Sequence, residues 1–241
     1  MTTLFISDLH LSPSDPARIQ LIVNFLQTQS ANIDKLYILG DLFNTWLGDD
    51  IVPDEFEPLI TQLQQLHQSG IKTYLMVGNR DFMMGKQFAK RAACELLDEP
   101  CIIDLFGTKT LLMHGDTLCI DDVAYQRYRR WSRNKFLQWC FLHLSASYRQ
   151  GVSDKIKQKS REQKQSKSAM IMDVNQDEVL RVMKQFDVTQ LIHGHTHRPA
   201  VHSLMINNQV AKRIVLGDWE NEVSYLLCDE QQTQLVDHRL S

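Results

Sequence analysis

The chain has 241 residues, 43% of them apolar, and a formal net charge of -3, enough for one large domain or a domain with an inserted module. Its five cysteines are widely spaced and form no C-x-x-C pair, which argues against a disulfide framework and a thiolate zinc site. Met1-Thr2-Thr3 has no basic start and no run of about 18 apolar residues follows, so the expectation is a cytoplasmic protein without a secretory leader or membrane span.

In chain order, the first apolar run, Leu4 to Ser7, stops at Asp8-Leu9-His10. Ser14-Asp15-Pro16 then reads as a helix start with proline in the first turn, and Ile19, Ile22, Val23 and Leu26 follow at helical spacing. A second run, Leu36 to Leu39, ends at Gly40-Asp41. A helix from about Asp54 carries Leu59, Ile60, Leu63 and Leu66 on one face and stops at Gly70. Thr73 to Val77 precedes Gly78-Asn79-Arg80-Asp81, Thr110 to Met113 precedes His114-Gly115-Asp116, and Leu191 to Ile192 leads into Gly194-His195-Thr196-His197. Asn175 with Glu178 has the form of a capping box for a helix through Phe186. Beyond His197 the short runs Val201 to Ile206, Arg213 to Leu216, Ser224 to Cys228 and Thr233 to Val236 read as antiparallel hairpins closing a second sheet.

Five polar motifs thus open where five strand-like runs stop, and open α/β folds place ligands at that edge. The steps from Asp8 to Asp41, Asn79 and His114 are 33, 38 and 35 residues, close to the length of a βαβ unit. The next step, from His114 to His195, is 81 residues, so something is inserted there. The expected division is a core of residues 1–120 and 168–241 with a helical cap at 121–167. That cap interleaves Tyr125, Tyr128, Trp131, Phe136, Trp139, Phe141 and Tyr148 with Arg127, Arg129, Arg130, Arg133 and Lys135, and Gly151 is expected to set off a polar helix from Asp154 to Lys167. From Tyr125 to Lys167 twelve Lys and Arg face only two acids, so an anion is expected nearby.

Carboxylate, imidazole and amide oxygen are the donors that divalent ions prefer when they act on phosphates, and a pair of ions about 3.5 to 4 Å apart can clamp the attacking and leaving oxygens. Asp8 and His10 can turn toward one ion, with His197 returning to it. Asn79, His114 and His195 complete a second. Asp41 is the natural bridge. Asp81 and Asp116 are expected to fix their turns, Asp49 and Asp50 to form an acidic loop or support the site, and His67, His143, His202 and His238 to lie outside it.

The set D-x-H, G-D, G-N-x-D, H-G-D and G-H-T-H resembles the calcineurin-like metallophosphoesterase superfamily. The resemblance implies an α/β fold, a two-sheet mixed β-sandwich flanked by helices, and a dinuclear centre held by Asp8, His10, Asp41, Asn79, His114, His195 and His197. One position departs from the general pattern: Arg80 stands where most members carry a histidine invoked as the acid for the leaving group. Arginine cannot release its proton at ordinary pH, whereas a departing phosphate, with a second pKa near 6, needs no such help. Arg80 offers a fork for phosphate oxygens instead, which favours a phosphoanhydride over a simple monoester.

A narrower match runs through I-S-D-L-H-L at 6 to 11, Y-I-L-G-D-L-F at 37 to 43, W-L-G-D-D at 46 to 50, G-N-R-D-F at 78 to 82, H-G-D-T-L-C at 114 to 119, S-K-S-A-M-I-M-D-V-N at 166 to 175 and L-I-H-G-H-T-H-R-P-A at 191 to 200. These segments are similar to the UDP-2,3-diacylglucosamine hydrolase family of lipid A biosynthesis. The resemblance implies two Mn²⁺ ions and metal-activated water attack on the phosphate next to uridine, giving UMP and 2,3-diacylglucosamine 1-phosphate. Asp41, Asn79, Arg80, His114 and His195 are the implied catalytic residues. Asn79, Arg80, Asp122, Ser160, Lys164, Lys167 and His195 are the implied substrate contacts, Lys164 the least secure because relatives often have a small polar residue there. The implied partners are an acylated UDP-sugar and the cytoplasmic face of the inner membrane, held peripherally, with no nucleic acid expected. A dinucleoside polyphosphatase, a nuclease served by the basic cap, and a non-catalytic scaffold on the same fold remain as alternatives.

Overall fold

The computed structural model describes residues 1–166, 173–220 and 222–240, and over 159–166 only the course of a helix. Along the chain the strands are β1 (Thr3–Ile6), β2 (Lys35–Leu39), β3 (Lys72–Met76), β4 (Glu95–Leu97), β5 (Cys101–Leu105), β6 (Thr108–Leu112), β7 (Gln190–His193), β8 (Ala200–Ile206), β9 (Gln209–Val215), β10 (Tyr225–Cys228) and β11 (Thr233–Val236). The helices are α1 (Pro16–Gln29), α2 (Glu57–Gln68), α3 (Lys86–Arg91), α4 (Val123–Ser132), α5 (Lys135–Leu142), α6 (Ala146–Ser166) and α7 (Gln176–Gln185). Two sheets result, one of order β11-β10-β1-β2-β3-β4 and one of order β5-β6-β7-β9-β8.

Successive side chains of a strand point to opposite faces, and here both faces are covered. Leu4, Ile6, Leu36 and Ile38 pack with Ile19, Ile22 and Leu26 of α1 and Leu59, Leu63 and Leu66 of α2. Their neighbours Phe5, Tyr37, Leu39 and Met76 meet Leu105, Leu112, Ile192 and Ile214 from the other sheet. On the far side Leu111 and Leu191 pack against Val179, Val182 and Met183 of α7. The layers are helix, sheet, sheet, helix, which is why the central runs are apolar without alternation. Phe5, Tyr37 and Tyr74 stack across β1, β2 and β3 with centroids 5.0 and 4.6 Å apart, each pair adding about 0.5–1.5 kcal/mol beyond its burial.

Local chemistry sets the helix starts. Asp15 accepts from the Arg18 amide with Pro16 at the first turn of α1, and Asn175 accepts from the Glu178 amide to begin α7. The α2 region opens as a 3-10 turn over Asp54–Phe56 before becoming α-helical at Glu57, and Gly70 ends it at φ +86°.

The structure revises three expectations. The motifs lie at the ends of β1, β2 and β3 in one sheet and of β6 and β7 in the other, on a rim the sheets share. The strands after His197 divide: β9 pairs with β7 and β8 with β9, while β10 pairs with β1 and β11 with β10. A short apolar run reports its burial but not the sheet that buries it. Gly151 lies inside α6 and does not mark its start; the helix is anchored by Arg149, 2% exposed, whose guanidinium donates to the Leu47 carbonyl and the Asp50 carboxylate. All five cysteines are thiols outside any disulfide, with Cys119 and Cys228 buried. Among the described residues no helix is long and apolar enough to cross a membrane.

Candidate metal centre

The rim loops bend sharply to bring their side chains inward. Asp8, His10, Asp41, His195 and His197 all adopt left-handed backbone conformations, with φ of 54°, 49°, 51°, 69° and 56°, a region non-glycine residues rarely enter and which costs of order 1–3 kcal/mol each. The turns are interlocked by main-chain bonds: Asp8 N–H donates to the Gly40 carbonyl, His10 N–H to that of Asp41, and Gly194 N–H to that of His114. Two glycines are required by close approach. A Cβ on Gly78 would overlap the Asp41 carboxylate and amide, and one on Gly194 would overlap Ser7 and the Asp8 carboxylate.

The result is a constellation from all five motifs. His197 Nε2 lies 3.4 Å from Asp8 Oδ1 and 3.1 Å from His10 Nε2. Asp41 turns one oxygen to His10 Nδ1 at 3.7 Å and the other to His114 Nε2 at 3.8 Å. Asn79 Oδ1 sits 2.9 Å from His114 Nε2 and 2.8 Å from His195 Nδ1. Two groupings have ligand atoms close enough for one ion each: Asp8, His10 and His197, and Asp8, Asp41 and His114. Asp8 belongs to both, a sharing expected of Asp41 alone, while Asp41 faces histidines of both.

These atoms fit divalent cations. Asp8 Oδ1 and His10 Nδ1 are buried without any hydrogen-bond partner, and a buried carboxylate oxygen left unpaired is costly unless something positive meets it. The donor set, two carboxylates, four imidazoles and an amide oxygen, is that of an ion of borderline or hard character.

Protonation follows from burial and neighbours. Burial pushes His10 down to about 3 and His195 to about 4, so both rings are neutral. Burial opposes charge on His114 too, yet the Asp41 and Asp8 carboxylates outweigh it and lift the ring to about 9. For His197 burial is likewise overcome, here by the Asp218 and Asp8 carboxylates beside it, and the ring rises to about 10. Burial raises Asp41 to about 7. Burial also works to raise Asp8, but His197 and the other histidines around it hold its carboxyl well below the usual range. Protons on His114 and His197 therefore stand where cations would otherwise balance Asp8 and Asp41.

Arg80 lies at the mouth. Its amide donates to Asp41 Oδ1 at 2.8 Å, its Nε is 3.7 Å from Asp41 Oδ2, its Nη1 donates to Asn44 Oδ1 at 2.9 Å, and its side chain is 40% exposed. Asp122 caps α4 by accepting from the Tyr125 amide at 3.0 Å. The side chains of Ser160 and Lys164, and all of Lys167, lie outside the described residues. On α4 to α6 Trp131, Phe136, Trp139 and Tyr148 are exposed, each by more than half, while Phe141 is partly buried.

Asp81 accepts from the Gly78 and Phe43 amides, and Asp116 from Arg129 at 2.8 Å and from the Tyr125 hydroxyl. Asp49 is more than a loop acid: it accepts from Trp46 Nε1 and from the Gly85, Gln87 and Phe88 amides at the start of α3. Three contributors were not foreseen. Glu99 accepts from the His114 and Gly115 amides, and the Leu39 carbonyl lies 2.9 Å from His114 Nδ1. Asp218 Oδ2 is 3.2 Å from His197 Nδ1. Asp218 did carry a signal: Gly217-Asp218 follows an apolar run just as Gly40-Asp41 does.

Residues 1–199 match the family model described as calcineurin-like phosphoesterase. The chain belongs to that family. Among similar proteins, one from Histophilus somni (strain 2336) named UDP-2,3-diacylglucosamine hydrolase is 50% identical over 224 residues, covering 93% of this chain and 94% of that protein. Proteins of the same name from Photobacterium profundum and Pseudomonas aeruginosa (strain UCBPP-PA14) are 46% and 48% identical, covering 95% and 92% of this chain and 93% and 92% of their own lengths. Such family membership, with the paired groupings at the rim, makes this a metal-dependent phosphoesterase centre.

Proposed function

We propose that the chain hydrolyses the pyrophosphate bond of UDP-2,3-diacylglucosamine, releasing UMP and 2,3-diacylglucosamine 1-phosphate, a step of lipid A biosynthesis. The observation that carries this reading is identity of 46–50% with proteins of that name over more than nine-tenths of both chains. Asp8, His10, Asp41 and His197 are proposed to hold one Mn²⁺, and Asp41, Asn79, His114 and His195 the other. When bound, such a pair polarises phosphoryl oxygens and makes a coordinated water nucleophilic near neutral pH.

The protein's own groups supply position and charge. Arg80, braced by Asp41 and Asn44, is proposed to take phosphate oxygens in a charge-assisted fork and, with His195, to stabilise charge that develops on them. It cannot act as an acid, and the leaving sugar phosphate needs none. Asp122, Ser160, Lys164 and Lys167 are proposed to contact substrate. Residues 121–167 are proposed as a cap that shelters the acyl chains. The exposed Trp131, Phe136, Trp139 and Tyr148 beside basic residues support peripheral attachment to the cytoplasmic face of the inner membrane.

The test is UMP release from UDP-2,3-diacylglucosamine with Mn²⁺, run beside UDP-glucose, diadenosine polyphosphates and single-stranded DNA. Turnover confined to the acylated nucleotide is expected. Cleavage of DNA or of the diadenosine compounds in its place would transfer the assignment to another branch of the family.

A further inference from the structure

Outside the seven proposed ligands, a compact polar network closes over His197. Asp218, 6% exposed, turns Oδ2 to His197 Nδ1 at 3.2 Å and accepts on Oδ1 from Arg239 Nη1 at 2.6 Å. Arg239 also donates from Nη1 to the His197 carbonyl at 3.2 Å, and its Nε and Nη2 grip both oxygens of Asp237 at 2.7 and 2.6 Å. One guanidinium therefore spans the residue that holds the imidazole, the backbone of the imidazole itself and the segment after β11. The opposite ring nitrogen of His197 faces Asp8 Oδ1, which has no hydrogen-bond partner of its own.

We propose that Asp218 and Arg239 are positioning residues for the metal site built on Asp8, His10 and His197. Asp218 fixes the ring by accepting a hydrogen bond from Nδ1–H, which leaves Nε2 bare toward Asp8 and a cation; a carboxylate on the remote nitrogen also makes the imidazole a better donor. Arg239 fixes Asp218 in turn and, through the His197 carbonyl, holds a loop whose backbone is in the left-handed region. The two oxygens of Asp218 have different partners, so asparagine cannot replace it: its amide must present N–H to either His197 or Arg239, both donors there. The inference rests on the reading of Asp8, His10 and His197 as metal ligands.

Mn²⁺ titration of metal-depleted protein, followed by electron paramagnetic resonance of the free ion, tests it without any substrate. Wild type is expected to bind two ions. Asp218→Ala and Asp218→Asn are expected to weaken one of them by about 10- to 100-fold, the usual effect of losing such an outer partner, and Arg239→Gln by a smaller factor that Arg239→Lys partly restores. Circular dichroism of each variant separates folded from unfolded protein, and if Asp218→Ala does not fold, Asp218→Asn decides. Two ions bound at wild-type affinity in a folded Asp218→Asn variant overturn the proposal, even if thermal stability has fallen. Failure of wild type itself to bind Mn²⁺ overturns the ligand reading beneath it.

Discussion

At the scale of single residues, the centre concentrates strain and charge where the rest of the molecule avoids both. Asp41 faces His10 with one oxygen and His114 with the other, so Asp41→Ala removes a contact from both halves of the site. Since losing an outer partner alone costs about 10- to 100-fold, kcat/KM for UMP release should fall more than about a hundredfold, with the folded state retained by circular dichroism. His114 and His197, lifted to about 9 and about 10 in the metal-free protein, carry protons that a cation must displace. Mn²⁺ affinity should therefore rise with pH between 6 and 9, by up to about tenfold per unit for each proton released. Titrations at several pH values check the slope, and a flat profile would contradict it. All seven candidate ligands were legible in the sequence because each sits in a motif directly after a strand. Glu99 and the Leu39 carbonyl were not, because they act by proximity in space: main-chain carbonyls have no side-chain signature, and Glu99 lies 15 residues from the histidine whose amide it receives.

Among elements, those with strong periodicity and a cap could be read directly. Asp15 begins α1 and Asn175 begins α7 where the sequence places them. Helix α3 and strands β4 and β5 are too short for a period to show, and the acid at the start of α3 is Asp49, 36 to 39 residues away. The helices between the last two motifs were foreseen as helices, but their attachment was not. Arg129 on α4 meets Asp116 at 2.8 Å and Glu99 at 3.1 Å, and Arg133 donates to the Gly78 carbonyl at 2.8 Å, so α4 is tied to two of the metal loops. Arg129→Ala removes the guanidinium that two buried carboxylates share, although Asp116 keeps the Tyr125 hydroxyl and Glu99 the His114 and Gly115 amides. The expected loss is about 2 to 3 kcal/mol in urea unfolding, below the 3 to 5 typical of a fully buried pair because the Arg129 side chain is 22% exposed.

For the molecule as a whole, cations that bind only the folded form add to its stability by mass action. One ion at a hundred times its dissociation constant contributes about 2.7 kcal/mol, and a chain of this length shifts by roughly 2 to 4 °C per kcal/mol. Chelation should thus lower Tm by about 5 to 10 °C per ion lost, as scanning calorimetry with and without EDTA would record. Sequence patterns conveyed two sheets and flanking helices but not that the returning strands β10 and β11 rejoin the first sheet, a choice made by the packing of Leu226 and Cys228 in the central core. That core has a second duty. Asp8, His10, Asp41 and Asn79 hang from one sheet, and His114, His195 and His197 from the other. A slip of one residue along a strand moves a side chain about 3.3 Å, as far as the 3.4 Å between His197 and Asp8. Catalysis thus sets the mechanical tolerance of the sandwich: a substitution between the layers that merely lets them slide would silence the enzyme while leaving it folded.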